Sequence, residues 1–159
     1  MTREIKFRGK STDTREWVYG DLLHIAKGNL IYFGSSTETT EPYIEMNSNV
    51  AVELFIDEIG VVNKESIGQF TGKTDKNKKE IYEGDIVRVY AKDGTFDIVV
   101  KWSNDSMAFM ACYVDGNQSP LSWFTNLLVY ELEVIGNVFD NPDLIIRNDN
   151  GDNTIREKA

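Results

Sequence analysis

The chain of 159 residues has little of the chemistry on which most reaction centres depend. It contains one cysteine, Cys112, and one histidine, His24. A single cysteine excludes an intramolecular disulfide and a multi-thiolate metal site within one chain. A single histidine likewise excludes a multi-histidine metal site. Since no Gly-x-Ser-x-Gly sequence holds a nucleophilic serine either, we expect no catalytic residue, no metal and no cofactor.

Both scarce residues have simple structural interpretations. Cys112 lies in the apolar run 107–114 and has no basic neighbour in the sequence to stabilise a thiolate, so we expect a buried structural thiol. His24 is flanked by Leu23 and Ile25, which is typical of a half-buried strand residue.

Long apolar runs and a basic excess are also missing. The run 107–114 is far too short to cross a bilayer, and residues 1–10 lack the apolar stretch of a signal peptide. We therefore expect a cytoplasmic protein that makes no membrane contact. The net charge of −9 argues against nucleic acid as a partner, because a basic excess supplies most of the affinity in such binding.

The charge is distributed unevenly along the chain. Residues 28–63 include six acidic and no basic residues. Charges of both signs keep a surface soluble, and a contact between copies of the chain through opposite patches is the alternative. The basic patches are Arg3, Lys6, Arg8 and Lys10 near the start, and Lys73, Lys76, Lys78 and Lys79 in the middle.

Short strand patterns separated by turn signals are plentiful. Alternation of polar and apolar residues, or short apolar runs bounded by Gly, Asn and Asp, predicts strands. The predicted strands are 4–8, 17–23, 30–33, 50–56, 66–72, 86–90, 96–102, 107–114 and 132–139. Residues 50–56 also suit a short helix, and 121–130 suit a short helix or an irregular segment. Pro142 suits the first position of a single helical turn.

This spacing predicts an all-β fold, in which short antiparallel strands form a small barrel or sandwich with little helix. We expect an N-terminal β-rich lobe over 1–65, which includes a strand hairpin and the acidic segment. A small barrel-like lobe is expected over 66–146 and a polar, flexible tail over 147–159.

Motifs that bind phosphate or calcium are incomplete. Residues 71–74 end like a phosphate loop, but the glycine that the motif requires earlier is replaced by Ile67. A calcium loop in the tail would begin with aspartate, and that position is Ile146. Of the carboxylate pairs, Glu83 and Asp85 flank a glycine turn, where hydrogen bonds to backbone amides explain them. An acid/base enzyme built on that pair ranks last.

One segment carries the pattern of a binding surface. Exposed aromatics among basic residues are typical of contacts with single-stranded nucleic acid, and two aromatics bracket the lysine-rich turn 73–79. Core aromatics beside solvated lysines are the simpler interpretation. The candidate interaction surface consists of Lys73, Lys76, Lys78, Lys79, Phe70 and Tyr82.

Three blocks of the sequence together carry a family resemblance. They are residues 3–9 (REIKFRG), residues 67–72 (IGQFTG) running through Asp75 and Asn77 to residues 79–87 (KEIYEGDIV), and residues 134–144 (VIGNVFDNPDL). In order and spacing these blocks resemble the YopX family of small phage and prophage proteins. The resemblance implies a mainly β fold and a phage or prophage origin, with action in the bacterial cytoplasm. It brings no activity and no catalytic or ligand residues.

The first functional hypothesis is therefore a non-enzymatic phage accessory protein that binds itself or another protein, with unpaired sheet edges available to accept a partner. The second is weak nucleic-acid binding through the turn 73–79.

Overall fold

The computed structural model describes residues 4–25, 28–32, 59–125 and 130–145. The chain divides into two compact units, Ile5–Gln69 on one side and Met1–Glu4 with Phe70–Ala159 on the other. Strand pairing is antiparallel in both. Within the described ranges, no helix has the length and apolar character needed to span a membrane. The predicted element at 50–56 and the tail 147–159 lie outside the described residues.

The unit Ile5–Gln69 is a sheet built around an N-terminal hairpin. Its elements are β1 (Phe7–Lys10), β2 (Trp17–Ile25), β3 (Gly28–Tyr32), β4 (Ile59–Val61), a 3₁₀ helix (Lys64–Ser66) and the first residues of β5 (Gly68–Thr74). The strand order is β4-β3-β2-β1-β5. The hairpin predicted from the two patterns at 4–8 and 17–23 is thus formed by β1 and β2.

The turn between β1 and β2 sets the register of that hairpin. The Ser11 hydroxyl accepts hydrogen bonds from the backbone N–H groups of Asp13 (3.3 Å) and Thr14 (3.2 Å). The Ser11 N–H donates to the Glu16 carbonyl at 2.9 Å. Turn geometry of this kind fixes the register of a hairpin. β1 starts at Phe7 rather than at residue 4 as predicted, and Ile5 is 59% exposed.

The second unit contains the larger sheet. Its elements are the end of β5, β6 (Glu80–Tyr82), β7 (Asp85–Ala91), β8 (Gly94–Ser103), β9 (Ala108–Cys112), β10 (Gln118–Pro120), a 3₁₀ helix (Leu121–Thr125), β11 (Tyr130–Asn137) and a 3₁₀ helix (Pro142–Ile145). Five strands pair in the order β10-β9-β8-β7-β11, and β5 pairs with β6. The mainly β prediction is confirmed. The described strands do not close into a barrel, because β10 and β11 are the two edges of an open sheet.

The hydrophobic core lies on one face of this five-stranded sheet. Val87 and Val89 of β7 are fully buried, whereas the alternate residues Arg88 and Tyr90 are half-buried on the opposite face, as strand geometry requires. Each buried valine stabilises the fold by roughly 1.5–3 kcal/mol relative to an exposed one. The other buried members of the core are Ile81, Ile98, Val100, Ala111, Leu121, Phe124 and Leu132.

Three strands escape prediction because they are only three residues long. β4, β6 and β10 are too short for an alternating pattern to be read. As a result, the turn between β5 and β6 is shorter than the turn predicted at 73–79, since β5 continues to Thr74 and β6 begins at Glu80. Between the two alternatives for 121–130, the described part is a short 3₁₀ helix, and the helical turn expected at Pro142 is present.

Gly136 occupies a position that has no room for a side chain. The pairing of β11 with β7 shifts between Val134 and Gly136, which marks a β-bulge. A Cβ atom on Gly136 would lie 2.6 Å from Oδ1 of Asn141. That same oxygen accepts a hydrogen bond from the Asn137 N–H at 3.2 Å, and the Asn141 N–H donates to the Asn137 carbonyl at 2.9 Å. The Asn141 side chain is therefore held in place and cannot move aside freely.

We expect Gly136→Ala to destabilise the protein by about 1–3 kcal/mol, the usual cost of inserting atoms into a filled site. Urea unfolding followed by circular dichroism measures the change. Lys101→Ala, at an exposed strand position, is the control. A free energy of unfolding equal to that of the control would show that the bulge accepts a methyl group.

Candidate interaction surfaces

The turn between β5 and β6 is organised by one buried carboxylate. Asp75 is 7% exposed. Its Oδ1 accepts hydrogen bonds from the N–H groups of Asn77 (2.7 Å) and Lys79 (2.9 Å), and its Oδ2 accepts one from the N–H of Val134 in β11 (3.0 Å). Hydrogen bonds to a charged acceptor are stronger than neutral ones. Asp75 therefore joins the turn to a strand 59 residues away in sequence.

This turn also covers the outer edge of β11. The Lys76 N–H donates to the Leu132 carbonyl at 2.8 Å, next to the bond between Val134 and Asp75. The opposite edge strand, β10, has three residues and ends in Pro120, which has no N–H to donate. Both edges of the five-stranded sheet are thus poor sites for the addition of a partner strand.

The six residues of the predicted surface do not share one environment. Phe70 and Tyr82 are paired across β5 and β6, with ring centroids 5.5 Å apart, and they are 6% and 1% exposed. Because both rings are buried, they offer no stacking platform to a nucleic-acid base. The exposed members of the set are Lys73, Lys76, Lys78 and Lys79. Nucleic-acid binding by these lysines stays a prediction. The stacking of bases on Phe70 and Tyr82, which was part of that hypothesis, has no exposed ring to support it.

Lys76 takes part in a polar network on the sheet face opposite the core. Its ammonium group lies 2.9 Å from Oε2 of Glu133 and 4.1 Å from the centroid of the Tyr90 ring. The Tyr90 hydroxyl donates to the same Glu133 oxygen at 2.5 Å. The hydrogen bond from Tyr90, followed by that from Lys76, lowers the pKa of the Glu133 carboxyl. The hydrogen bond to Glu133 in turn raises the pKa of Lys76.

A second ion pair lies beside this network. Nε and Nη2 of Arg88 donate to the two carboxylate oxygens of Asp97 at 2.9 and 3.1 Å, and the two residues are directly paired between β7 and β8. Such fork-shaped pairing is geometrically specific. The hydrogen bond to Asp97 raises the pKa of Arg88. On this face, Lys76 is thus paired with Glu133 and Arg88 with Asp97. These ion pairs form a structural network.

The carboxylate pair considered for acid/base chemistry bonds to backbone amides instead. Oδ2 of Asp85 accepts from the Tyr82 N–H at 2.8 Å, and Oε1 of Glu83 accepts from the Trp102 N–H at 3.2 Å. Among the described residues, no group of three metal-ligating side chains converges. A small apolar concavity lined by Ile86, Cys112 and Leu144 encloses about 10 Å³, the space of about one water molecule.

The scarce residues of the sequence are placed in strands. Cys112 is the last residue of β9 and is half-buried, and burial raises the pKa of its thiol, although nearby Lys101 acts in the opposite direction. Cys112 is thus half-buried rather than buried as predicted. His24 lies in β2, paired with Asn29.

Exposed apolar side chains occur in or beside the three turns at one end of the five-stranded sheet, which are residues 83–84, 104–107 and 138–141. We call this surface the end patch. The turn at Gly84 bonds to strand β8 and to the turn after β11: the Gly84 N–H donates to the Val100 carbonyl at 2.8 Å, and the Gly84 carbonyl accepts from the Val138 N–H at 2.9 Å. The members of the end patch and their exposed fractions are Trp102 (40%), Met107 (79%), Val138 (38%) and Phe139 (37%).

Two members of the end patch have unusual settings. Met107 has φ = 47°, a left-handed conformation that costs a residue other than glycine about 1 kcal/mol or more. Trp102 is held in place: its ring packs edge to face on Phe109 with centroids 5.2 Å apart, and its Nε1–H donates to Oδ1 of Asn104 at 3.1 Å. A fixed, exposed indole and a strained, exposed methionine thus occur in the same β8–β9 hairpin.

The sequence contains a weak signal for this patch. Met107 follows the polar residues 103–106 and is the first residue of the strand predicted at 107–114. In the structure, β9 begins at Ala108. An apolar residue at the end of a polar turn is unusual enough to mark. Residues 138–139 lie at the same end of the sheet as Met107 because distant strands pair, and no local sequence pattern shows this.

The chain matches a protein-family model. The family model described as YopX protein matches residues 6–146. No curated protein matches the chain.

Asp75→Asn replaces one acceptor oxygen with an NH₂ group that faces backbone N–H donors. Because a buried polar group then loses its partner, we expect a destabilisation of about 2–4 kcal/mol. Thermal and urea unfolding measure it. Asn77→Ala keeps the backbone N–H that Asp75 binds and serves as the matched control. Equal stability of the two variants would contradict the role of the carboxylate as the anchor of the turn.

Tyr90→Phe removes the largest cause of the lowered pKa of Glu133, so we expect that pKa to rise toward its ordinary value. Carboxyl-carbon NMR titration measures it, with Tyr113→Phe as a control that does not touch Glu133. Since the folded pKa lies below the unfolded one, ionised Glu133 stabilises the fold above the unfolded pKa, and this contribution is lost as the pH falls through the folded pKa. An unchanged Glu133 titration in Tyr90→Phe would contradict this account.

Proposed function

The chain belongs to the YopX family. Because a fold alone does not identify a reaction, we propose a function from the exposed side chains of this protein. The protein is a non-enzymatic accessory protein of a bacteriophage or prophage. It acts in the bacterial cytoplasm by binding another protein, and it does so through the end patch.

The observation that carries this proposal is the exposure of apolar side chains, among them a fixed tryptophan, in or beside the turns at one end of the five-stranded sheet. Tryptophan, phenylalanine and methionine are enriched at protein interfaces, and tryptophan is a common hot spot. Trp102 is already ordered by Phe109 and Asn104, so little side-chain entropy would be lost when a partner packs on it.

The strained backbone of Met107 supports the same assignment. Its position in the turn suits glycine or asparagine, which adopt positive φ at little cost. A methionine that is 79% exposed there gains no burial in exchange for the strain. Packing of its side chain against a partner would supply that gain.

The geometry of the sheet edges favours side-chain contact over strand addition. The β11 edge is occupied by the turn that Asp75 anchors, and β10 is short and ends in proline. Partner binding in this unit therefore depends on a patch of side chains.

A photo-crosslinking amino acid at position 107 tests the proposal. Expressed in the bacterial host, the labelled protein is expected to yield a discrete crosslinked product with one protein. The double variant Trp102→Ala/Val138→Ser should reduce that product at least tenfold, since truncation of a hot-spot residue typically costs more than 1 kcal/mol of binding.

The control places the same crosslinker at position 123, since Trp123 is also exposed (64%) but lies in the 3₁₀ helix Leu121–Thr125. Crosslinks of equal yield and identity from positions 107 and 123 would show that the patch has no special role. Absence of any product from position 107 would also overturn the proposal.

A further inference from the structure

We propose that the turn between β5 and β6 is a second binding surface, and that it binds a short acidic segment of a partner protein. The groups that carry the binding are the ammonium groups of Lys73, Lys78 and Lys79, which we call the turn lysines. The inference goes beyond the proposed function, because none of these residues belongs to the end patch.

The turn lysines are exposed and are not paired with a carboxylate. Within the described ranges, the ion pairs use Lys76 and Arg88, and none includes a turn lysine. The carboxylate inside the turn, that of Asp75, is buried and accepts hydrogen bonds from backbone N–H groups instead. Three cationic groups are therefore available to a partner.

The charge of this segment is opposite to that of the whole chain. Residues 71–80 contain four lysines and two carboxylates, a net charge of +2, whereas the chain carries −9. Potentials across an interface are usually complementary, and like charges placed opposite one another are unfavourable. The turn therefore favours an acidic partner segment over a basic one.

Hydrogen bonds fix the backbone that carries two of the turn lysines. The Lys78 N–H donates to the Asp75 carbonyl at 3.0 Å, and the Asp75 N–H donates to the Lys79 carbonyl at 2.8 Å. The Lys79 N–H in turn donates to Oδ1 of Asp75 at 2.9 Å. Because this loop is already ordered, little backbone entropy would be lost when a partner binds to it.

Lys78 occupies a position that suits glycine. It is the last residue of a three-residue hairpin loop and has φ = 65°, the left-handed conformation that such loops require at this point. Glycine adopts it freely, whereas a lysine there is strained. Within the described residues, Lys78 makes no ion pair that would offset the strain. A carboxylate of a partner would supply that interaction.

A protein segment fits this turn better than a nucleic acid does. Proteins that bind single-stranded nucleic acid combine backbone contacts with stacking on exposed rings. The nearest rings along the chain, those of Phe70 and Tyr82, are buried. The net charge of −9 would also repel the phosphates on either side of the contact. A short acidic segment brings carboxylates to the turn without that extended charge.

NMR titration of the isotope-labelled full chain tests the inference with three probes. They are a ten-residue peptide that alternates glutamate and serine, a ten-residue peptide that alternates lysine and serine, and a six-nucleotide single-stranded DNA, whose five phosphates match the five glutamates. We expect the glutamate peptide to shift the backbone N–H signals of residues 73–79, whereas the lysine peptide does not. The glutamate peptide should bind about fivefold more tightly than the DNA, and more weakly when the salt concentration is raised from 50 to 300 mM.

Two triple variants separate the turn from the overall charge of the protein. Lys73→Gln/Lys78→Gln/Lys79→Gln removes the turn lysines. The matched control, Lys64→Gln/Lys92→Gln/Lys101→Gln, removes three exposed lysines elsewhere. We expect about a tenfold loss of affinity for the glutamate peptide in the first variant only, which is the order expected of three surface charge contacts. Circular dichroism checks that both variants are folded.

Lys78→Gly separates the strain from the charge. Because glycine adopts the left-handed conformation freely, we expect a higher midpoint of thermal unfolding in this variant. We also expect an affinity for the glutamate peptide that is weaker by about twofold to threefold, since one charge contact is lost. Unchanged affinity in Lys78→Gly would contradict the role given to this lysine.

The inference is overturned by any of four results. The glutamate peptide could leave residues 73–79 unshifted, or the DNA could bind as tightly as the peptide, which would assign the turn to nucleic acid. Equal losses of affinity in the two triple variants would show that only the overall charge matters. Self-association that is measured by light scattering and abolished by Lys73→Gln/Lys78→Gln/Lys79→Gln would make a second copy of the chain the occupant.

Discussion

The carboxylate of Asp75 is the contact on which the second unit depends, because it satisfies three backbone donors that belong to two separate parts of the chain. A buried charge is tolerated only when its hydrogen bonds are complete. Here the same side chain shapes a turn and replaces a neighbouring strand for β11. The polar network of Lys76, Tyr90 and Glu133 follows from it, since Lys76 reaches Glu133 only while the turn lies against β11.

The sequence predicts much of the fold and less of the surface. Alternation along 86–90 and 96–102 is a local property, and it correctly predicts the strands β7 and β8. β4, β6 and β10 are missed because pairing with neighbours, rather than pattern, defines strands of three residues. Phe70 and Tyr82 illustrate the limit for the site. Their closeness to lysines in the sequence predicts exposure. In the structure, strand alternation directs both rings inward, while Lys76, Lys78 and Lys79 lie in the turn.

The end patch and the turn at 75–79 divide two tasks that a small β protein must perform. The edges of the sheet must not attract other chains, and a chosen surface must attract one. In the described part of this chain the first task falls to backbone features: a covered strand at β11 and a proline at β10. In the proposed function, the second falls to side chains in or beside turns, which change readily without altering the sheet. This arrangement allows the recognition surface to vary among proteins that share the scaffold.

The conformation of Met107 sets two selective pressures against each other. Asparagine or glycine at this position would relieve the left-handed backbone, so a laboratory selection for heat resistance would enrich those replacements. The same replacements would remove the largest exposed apolar contact of the end patch. If the strain is maintained for binding, methionine should persist under selection in the host. It should be lost under selection for thermal stability alone.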